Sequence, residues 1–100
     1  GTPEAGGAIE VFDSREIAIT NCQVLDPVQR GIFLANVVNS RVSDCTVLDR
    51  RPKPTMRSAI TLVGARRDNL IYNNLLGKGT EGDLVIQGGT ASVAGNVVVG

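Results

Sequence analysis

The sequence predicts an all-β fold, a single-stranded parallel β-helix of about four coils of ~23 residues, on three observations. The first is a repeated motif: Ile19, Cys22, Val24 and Asp26 return as Val42, Cys45, Val47 and Asp49, each displaced by 23 residues (42−19, 45−22, 47−24, 49−26). A third copy reads Leu70, Asn73, Leu75 and Gly77, and a fourth Val93, Asn96, Val98 and Gly100. The second is a set of short alternating segments ahead of each copy, carried by Ile9 and Val11, Ile32 and Leu34, Ile60 and Leu62, and Leu84 and Ile86; their starts lie 23, 28 and 24 residues apart (32−9, 60−32, 84−60). The third is composition. The chain is 42% hydrophobic but holds only Phe12, Phe33 and Tyr72 as aromatics, which favours stacked aliphatic layers over a core built on rings.

Taken in order, residues 1–7 (GTPEAGG) read as a flexible leader and residues 8–100 as the repeats. From Ala8 to Phe12 the period is two, with Ile9 and Val11 on one face and Glu10 on the other, as in a half-buried strand. A second short strand follows at Ile17-Ala18-Ile19, then a tight bend, a third strand at Cys22-Gln23-Val24, and a return loop. Each later period repeats this layout. Strands so short satisfy their backbone groups only by pairing with their equivalents one coil above and below, at a rise of about 4.8 Å per coil. Pro27, Pro52 and Pro54, with Gly31, Gly64, Gly88 and Gly89, interrupt the chain before any helical period can develop.

The pattern I-x-N-C-x-V at residues 19–24, with N-N-x-L at 73–76, resembles the coil repeat of right-handed parallel β-helix proteins of the pectate lyase-like superfamily. The resemblance covers residues 8–100 and implies a right-handed solenoid, agreeing with the usual hand of parallel crossovers. It implies no single activity, since that superfamily holds polysaccharide lyases, glycoside hydrolases, epimerases and phage tailspikes. It also implies a structural ladder of inward side chains, here Cys22, Cys45, Asn73 and Asn96, in which stacked amides bond along the axis. The two stacked cysteines would place their Cα atoms about 4.8 Å apart, within disulfide range but with parallel side chains; we read them as buried thiols, with a disulfide as the alternative. The bend residues ahead of the ladder are Asn21, Asp44, Tyr72 and Gly95. All but Tyr72 tolerate positive φ, so either the third corner differs in shape or its register is displaced by one residue.

Composition narrows the function. Ten basic and ten acidic side chains leave no net charge, so no global field favours nucleic acid or a membrane surface, and no apolar run is long enough to span a bilayer. The chain has no histidine, which removes the base of a Ser/His/Asp or Cys/His triad, and its two cysteines lack metal-ligand spacing; no metal or cofactor is expected. In the enzymes of the superfamily the substrate lies on the outer face of the first strand, where this chain places carboxylates only at Glu10 and Asp83. Three coils, roughly 14 Å, separate them, too far to flank one glycosidic bond. No catalytic residue is therefore assigned. Gly77-Lys78-Gly79-Thr80 lacks the spacing of a phosphate-binding loop.

The return loops are more informative. Arg50, Arg51, Lys53 and Arg57 sit on the proline-stiffened insertion that lengthens the second period, with Arg30 one coil earlier and Lys78 one coil later. Together these six cations are the candidate carbohydrate-binding residues for an acidic polysaccharide, against the plainer reading of a solvated loop neutralised by Asp26 and Asp49. The expectation is a non-catalytic module of a larger secreted or cell-surface protein. The alternative is part of a lyase or hydrolase whose catalytic coils lie outside this segment. Neither end carries a recognisable cap, so the chain is expected either to be the terminal part of a longer secreted β-helix protein or to cover its end coils by self-association.

Overall fold

A computed structural model describes residues 7–99; residues 1–6 and Gly100 lie outside them, and with them most of the expected leader and the last position of the fourth motif copy. Among the described residues there are twelve strands and no helix. In chain order they are β1 (Gly7–Phe12), β2 (Ala18–Thr20), β3 (Gln23–Leu25), β4 (Arg30–Ala35), β5 (Arg41–Ser43), β6 (Thr46–Leu48), β7 (Ser58–Val63), β8 (Leu70–Tyr72), β9 (Leu75–Gly77), β10 (Gly82–Gln87), β11 (Ser92–Ala94) and β12 (Val97–Val99). They form three all-parallel sheets, ordered β1-β4-β7-β10, β2-β5-β8-β11 and β3-β6-β9-β12. The strands thus come in triplets, one strand to each sheet, an arrangement compatible with a parallel β-helix.

Strands of three residues persist because the register stacks like on like. Ile9, Ile32, Ile60 and Leu84 form one aliphatic column, and Val11, Leu34, Leu62 and Ile86 a second. The other two sheets contribute Ile19, Val42, Ile71 and Val93, and Val24, Val47, Leu76 and Val98. In the two middle triplets these side chains are at most 1% exposed, each burial contributing about 1.5–3 kcal/mol. The alternation fails at the start of the long strands. Ala59 is fully buried in the core, and a Cβ on Gly31 would collide with Val47 Cγ1 and the Ala59 carbonyl, so this position is not on the outer face that strict alternation assigns it.

The bends follow the same inter-strand logic. Asn21, Asp44, Asn73 and Gly95 occupy one corner with φ of 55°, 56°, 57° and 68°, and Asn21 N, Asp44 N and Asn73 N donate to Ser43, Tyr72 and Ala94 carbonyls of the next triplet. The corner residue of the third copy is therefore Asn73, not Tyr72, and the inward ladder residue is Asn74, not Asn73. Asn73 is exposed. The displacement has a local cause: the connection from Val63 to Leu70 is one residue longer than that from Ala35 to Arg41 (70−63 = 7, 41−35 = 6). A second corner, unread in the sequence, is formed by Asp13, Asn36, Gly64 and Gly88, with φ between 50° and 62°.

Inside, the ladder satisfies backbone groups that the bends leave over. Asn74, 2% exposed, accepts from Cys45 N (2.9 Å) and donates to Val42 O (3.1 Å) and to Asn96 Oδ1 (2.9 Å), while Asn96 donates on to Ile71 O (3.1 Å). Cys22 and Cys45 continue the column as free thiols. Burial pushes the Cys45 thiol above its ordinary pKa, which keeps it protonated and inert at neutral pH. Asn69 is a second buried amide, accepting from Ser40 N (3.0 Å) and Ser40 Oγ (2.7 Å) and donating to Val37 O (3.3 Å).

Two substitution pairs test this register. Asn74→Ala strands the Cys45 amide and the Val42 carbonyl and is expected to cost about 2–4 kcal/mol in denaturant unfolding, whereas Asn73→Gly, at a positive-φ site where the next triplet already has Gly95, should change stability by less than about 1 kcal/mol. Gly31→Ala should cost about 1–3 kcal/mol through overpacking against Val47, while Ala→Gly at the exposed Ala18 changes little.

Candidate functional site

The most structured feature outside the core is the return from β6 to β7, residues 49–57, and a single carboxylate organises it. Asp49, its side chain only 2% exposed, points back under the loop it begins. Oδ1 accepts from Arg51 Nε (2.8 Å), and Oδ2 accepts from Arg51 Nη2 (2.8 Å), Thr55 N (2.7 Å) and Met56 N (2.8 Å). The Arg51 side-chain hydrogen bonds, reinforced by these backbone donors, hold the Asp49 carboxyl well below the usual carboxylate range. Arg51 Nη2 also donates to Pro27 O (2.6 Å) and Thr55 Oγ1 (2.8 Å), and Thr55 Oγ1 donates to Val28 O (2.8 Å). The loop is thereby tied to the return preceding it, with Asp26 Oδ1 accepting from Arg50 N (2.8 Å) at its other edge.

The next return is moulded on this one. Thr80 N and Glu81 N donate to the carbonyls of Met56 and Arg57 at 3.1 and 2.7 Å, and Gly79 takes φ of 66° where a Cβ would meet the Arg57 and Gly82 carbonyls. Glu81 collects two of the six candidate cations: Arg57 at 2.6 Å and Arg30 at 3.8 Å. Arg30 also lies 5.7 Å from the centre of the Phe33 ring, which packs in turn against Phe12 at 5.8 Å.

The six cations therefore separate. Arg30 and Arg57 converge on Glu81, and Arg51 is held by Asp49. Arg50, Lys53 and Lys78 are exposed and form no ion pair among the described residues. Arg50 and Lys78 stand on the wall of one cleft of about 470 Å³ between the two returns, whose apolar surface comes from Leu48, Pro54, Met56 and Val99. Met56 is buried beneath it, and its methyl fills the space that Gly77 leaves by having no side chain. Lys53 stands on the same loop but outside the cleft. Arg66 and Arg67 lie on another corner, where Arg67 pairs loosely with Asp68 at 3.5 Å.

Two residues that shape this site were not assigned these roles from sequence. By sequence Asp49 looks like a surface counter-charge, yet it is the loop's buried anchor. Glu81 was not singled out at all, although it follows Arg57 by 24 residues, one period of the repeat (81−57). On the outer face of the long-strand sheet, Glu10 and Asp83 belong to the two outermost strands and do not meet. Among the described residues no group of three or more His, Cys, Asp or Glu side chains could hold a metal ion. No protein-family model, no curated protein and no solved structure matches the chain.

The anchor makes a pH-dependent prediction. Because the Asp49 carboxyl ionises more readily in the fold than in the unfolded chain, its stabilisation is fully present at neutral pH and is lost as pH falls from the ordinary carboxylate range toward its lower folded value. Asp49→Ala should lower stability at pH 7 by about 2–3 kcal/mol, and the gap from the unchanged chain should shrink in urea titrations taken below about pH 4.

Proposed function

We propose that the chain is a non-catalytic, right-handed parallel β-helix module of four coils, of the pectate lyase-like type and part of an extracellular protein, that binds an acidic glycan in the cleft between the long return 49–57 and the short return 78–81. The supporting observation is the division of the cations. Carboxylates within the fold engage Arg30, Arg51 and Arg57, while Arg50 and Lys78 line one cleft and form no ion pair among the described residues, the carboxylate that lines it with them, Asp49, being held by Arg51.

A uronic-acid unit suits such a site chemically. Its carboxylate would lie between Arg50 and Lys78, a guanidinium offering a paired donor and an ammonium a point charge. Its C–H faces would cover Leu48, Pro54 and Val99, and Lys53 would meet the next charged unit of the polymer. The Asp49 anchor holds the loop in one conformation before the ligand arrives, so little ordering entropy opposes binding.

Titration with oligogalacturonate, followed by calorimetry or backbone NMR shifts, tests this reading. Binding is expected to weaken as salt rises and to be absent for neutral glucan oligomers. Arg50→Ala and Lys78→Ala should each weaken it about five- to tenfold, with a smaller loss for Lys53→Ala. Equal affinity for acidic and neutral glycans, no binding to either, or binding indifferent to the double Arg50/Lys78 variant would contradict the proposal. Cleavage of the glycan by this chain alone would contradict the non-catalytic part.

A further inference from the structure

The chain holds two cysteines, and the fold sets one over the other. Cys22 precedes β3 and Cys45 precedes β6, strands paired in parallel with Gln23 on Thr46, and Thr46 N donates to Cys22 O at 2.9 Å. Their mutual placement is fixed by that pairing alone. Neighbouring strands lie about 4.8 Å apart, inside the Cα–Cα range of a disulfide.

Ladder side chains reach toward the preceding triplet. Asn74 Nδ2 donates to Val42 O and Asn96 Nδ2 to Ile71 O, and in the same way the Cys45 thiol donates to Ile19 O at 3.6 Å as well as to Ser43 O at 3.3 Å. The Cys45 sulfur thus already leans toward the level of Cys22. Burial is the main cause of the raised Cys45 pKa and the Cys22 thiol adds to it, which puts the two side chains within range of each other. The Cys22 thiol instead donates to Thr20 O of its own triplet at 3.4 Å, a weak contact that a turn about χ1 releases.

We infer that Cys22 and Cys45 are a reversible redox pair that closes a disulfide between the first and second triplets. The reaction is thiol–disulfide exchange with a small-molecule disulfide such as oxidised glutathione. The Cys22 thiolate attacks one sulfur of the oxidant, whose S–S bond breaks and releases one thiol. Cys45, buried away from reagents in solution, then gives up its proton and attacks the Cys22 sulfur, releasing the second. Two protein thiols are thereby oxidised by two electrons, and one disulfide is reduced to two thiols. The strand spacing of about 4.8 Å exceeds the roughly 3.8 Å mean Cβ–Cβ separation of disulfides, so the bond forms under tension and is readily reduced. That separates it from a permanent structural cross-link. It joins residues 23 apart (45−22) and fastens the first triplet to the second beside the Asn21–Ser43 and Thr46–Cys22 hydrogen bonds.

Equilibration of the folded chain in glutathione buffers of graded ratio, quenched in acid and read by alkylation in denaturant and peptide mass mapping, tests the pair. In excess oxidised glutathione the expected product is a single chain two hydrogens lighter with its Cys22 and Cys45 peptides joined, and excess reduced glutathione should reopen it. The Asn21 and Thr46 amides should exchange several-fold more slowly in the oxidised chain. Cys22→Ser should leave Cys45 unmodified in the folded chain; if that variant fails to fold, the unaltered chain alone decides. A glutathione adduct that persists on Cys22 while Cys45 remains a thiol overturns the inference, as does a disulfide that joins two chains or forms only in urea. A bond that reduced glutathione cannot reopen overturns its reversibility.

Discussion

In-register parallel pairing between strands about one period apart is the constraint on which everything else in this molecule rests. Eight of the twelve strands are three residues long, and none could exist as an isolated hairpin partner. Each borrows its stability from the strand before it and lends it to the strand after. Once Val24, Val47, Leu76 and Val98 are aligned, the column of Ile19, Val42, Ile71 and Val93 follows, because each corner between those two sheets turns on a single left-handed residue with little room to adjust. The buried amides then have one place to go. Asn74 bridges the Cys45 amide, the Val42 carbonyl and Asn96, so the ladder is a consequence of the register and also its lock.

The repeat was legible because stacking demands similar residues at each level, and a 23-residue displacement of four residue types survives as plain text in Ile19 to Asp49. The register of the third copy was not. A single additional residue between Val63 and Leu70 moves the second and third strands of that copy by one, and the neighbouring pair Asn73-Asn74 offers an asparagine at either setting. Tyr72 at a corner was the one sign of the error. Packing deviations were hidden for a different reason. Gly31 and Ala59 look like ordinary outward positions by alternation, and only the approach of Val47 from the facing sheet reveals that there is no room outside the core rule for a larger side chain.

The candidate site was half legible. Its cations announce themselves as a run, but which remain available depends on carboxylates that lie a period away and come alongside only when the chain has stacked. Glu81 reaches Arg57 from the following return, and Asp49 turns inward under its own loop. The same stacking that pairs three of the cations with carboxylates brings Arg50 and Lys78 to the lining of one cleft. Chemistry at this site is thus a property of two successive returns together, and neither carries it alone.

The most direct test of this arrangement is a long-range NMR contact map of the backbone and methyl groups. Parallel stacking predicts contacts at constant sequence difference, Val24 with Val47 and Leu25 with Leu48, both 23 apart, then Val47 with Leu76, 29 apart (47−24, 48−25, 76−47). Contacts of constant sequence sum, the mark of antiparallel hairpins between β2 and β3 or β5 and β6, would contradict the account at its root.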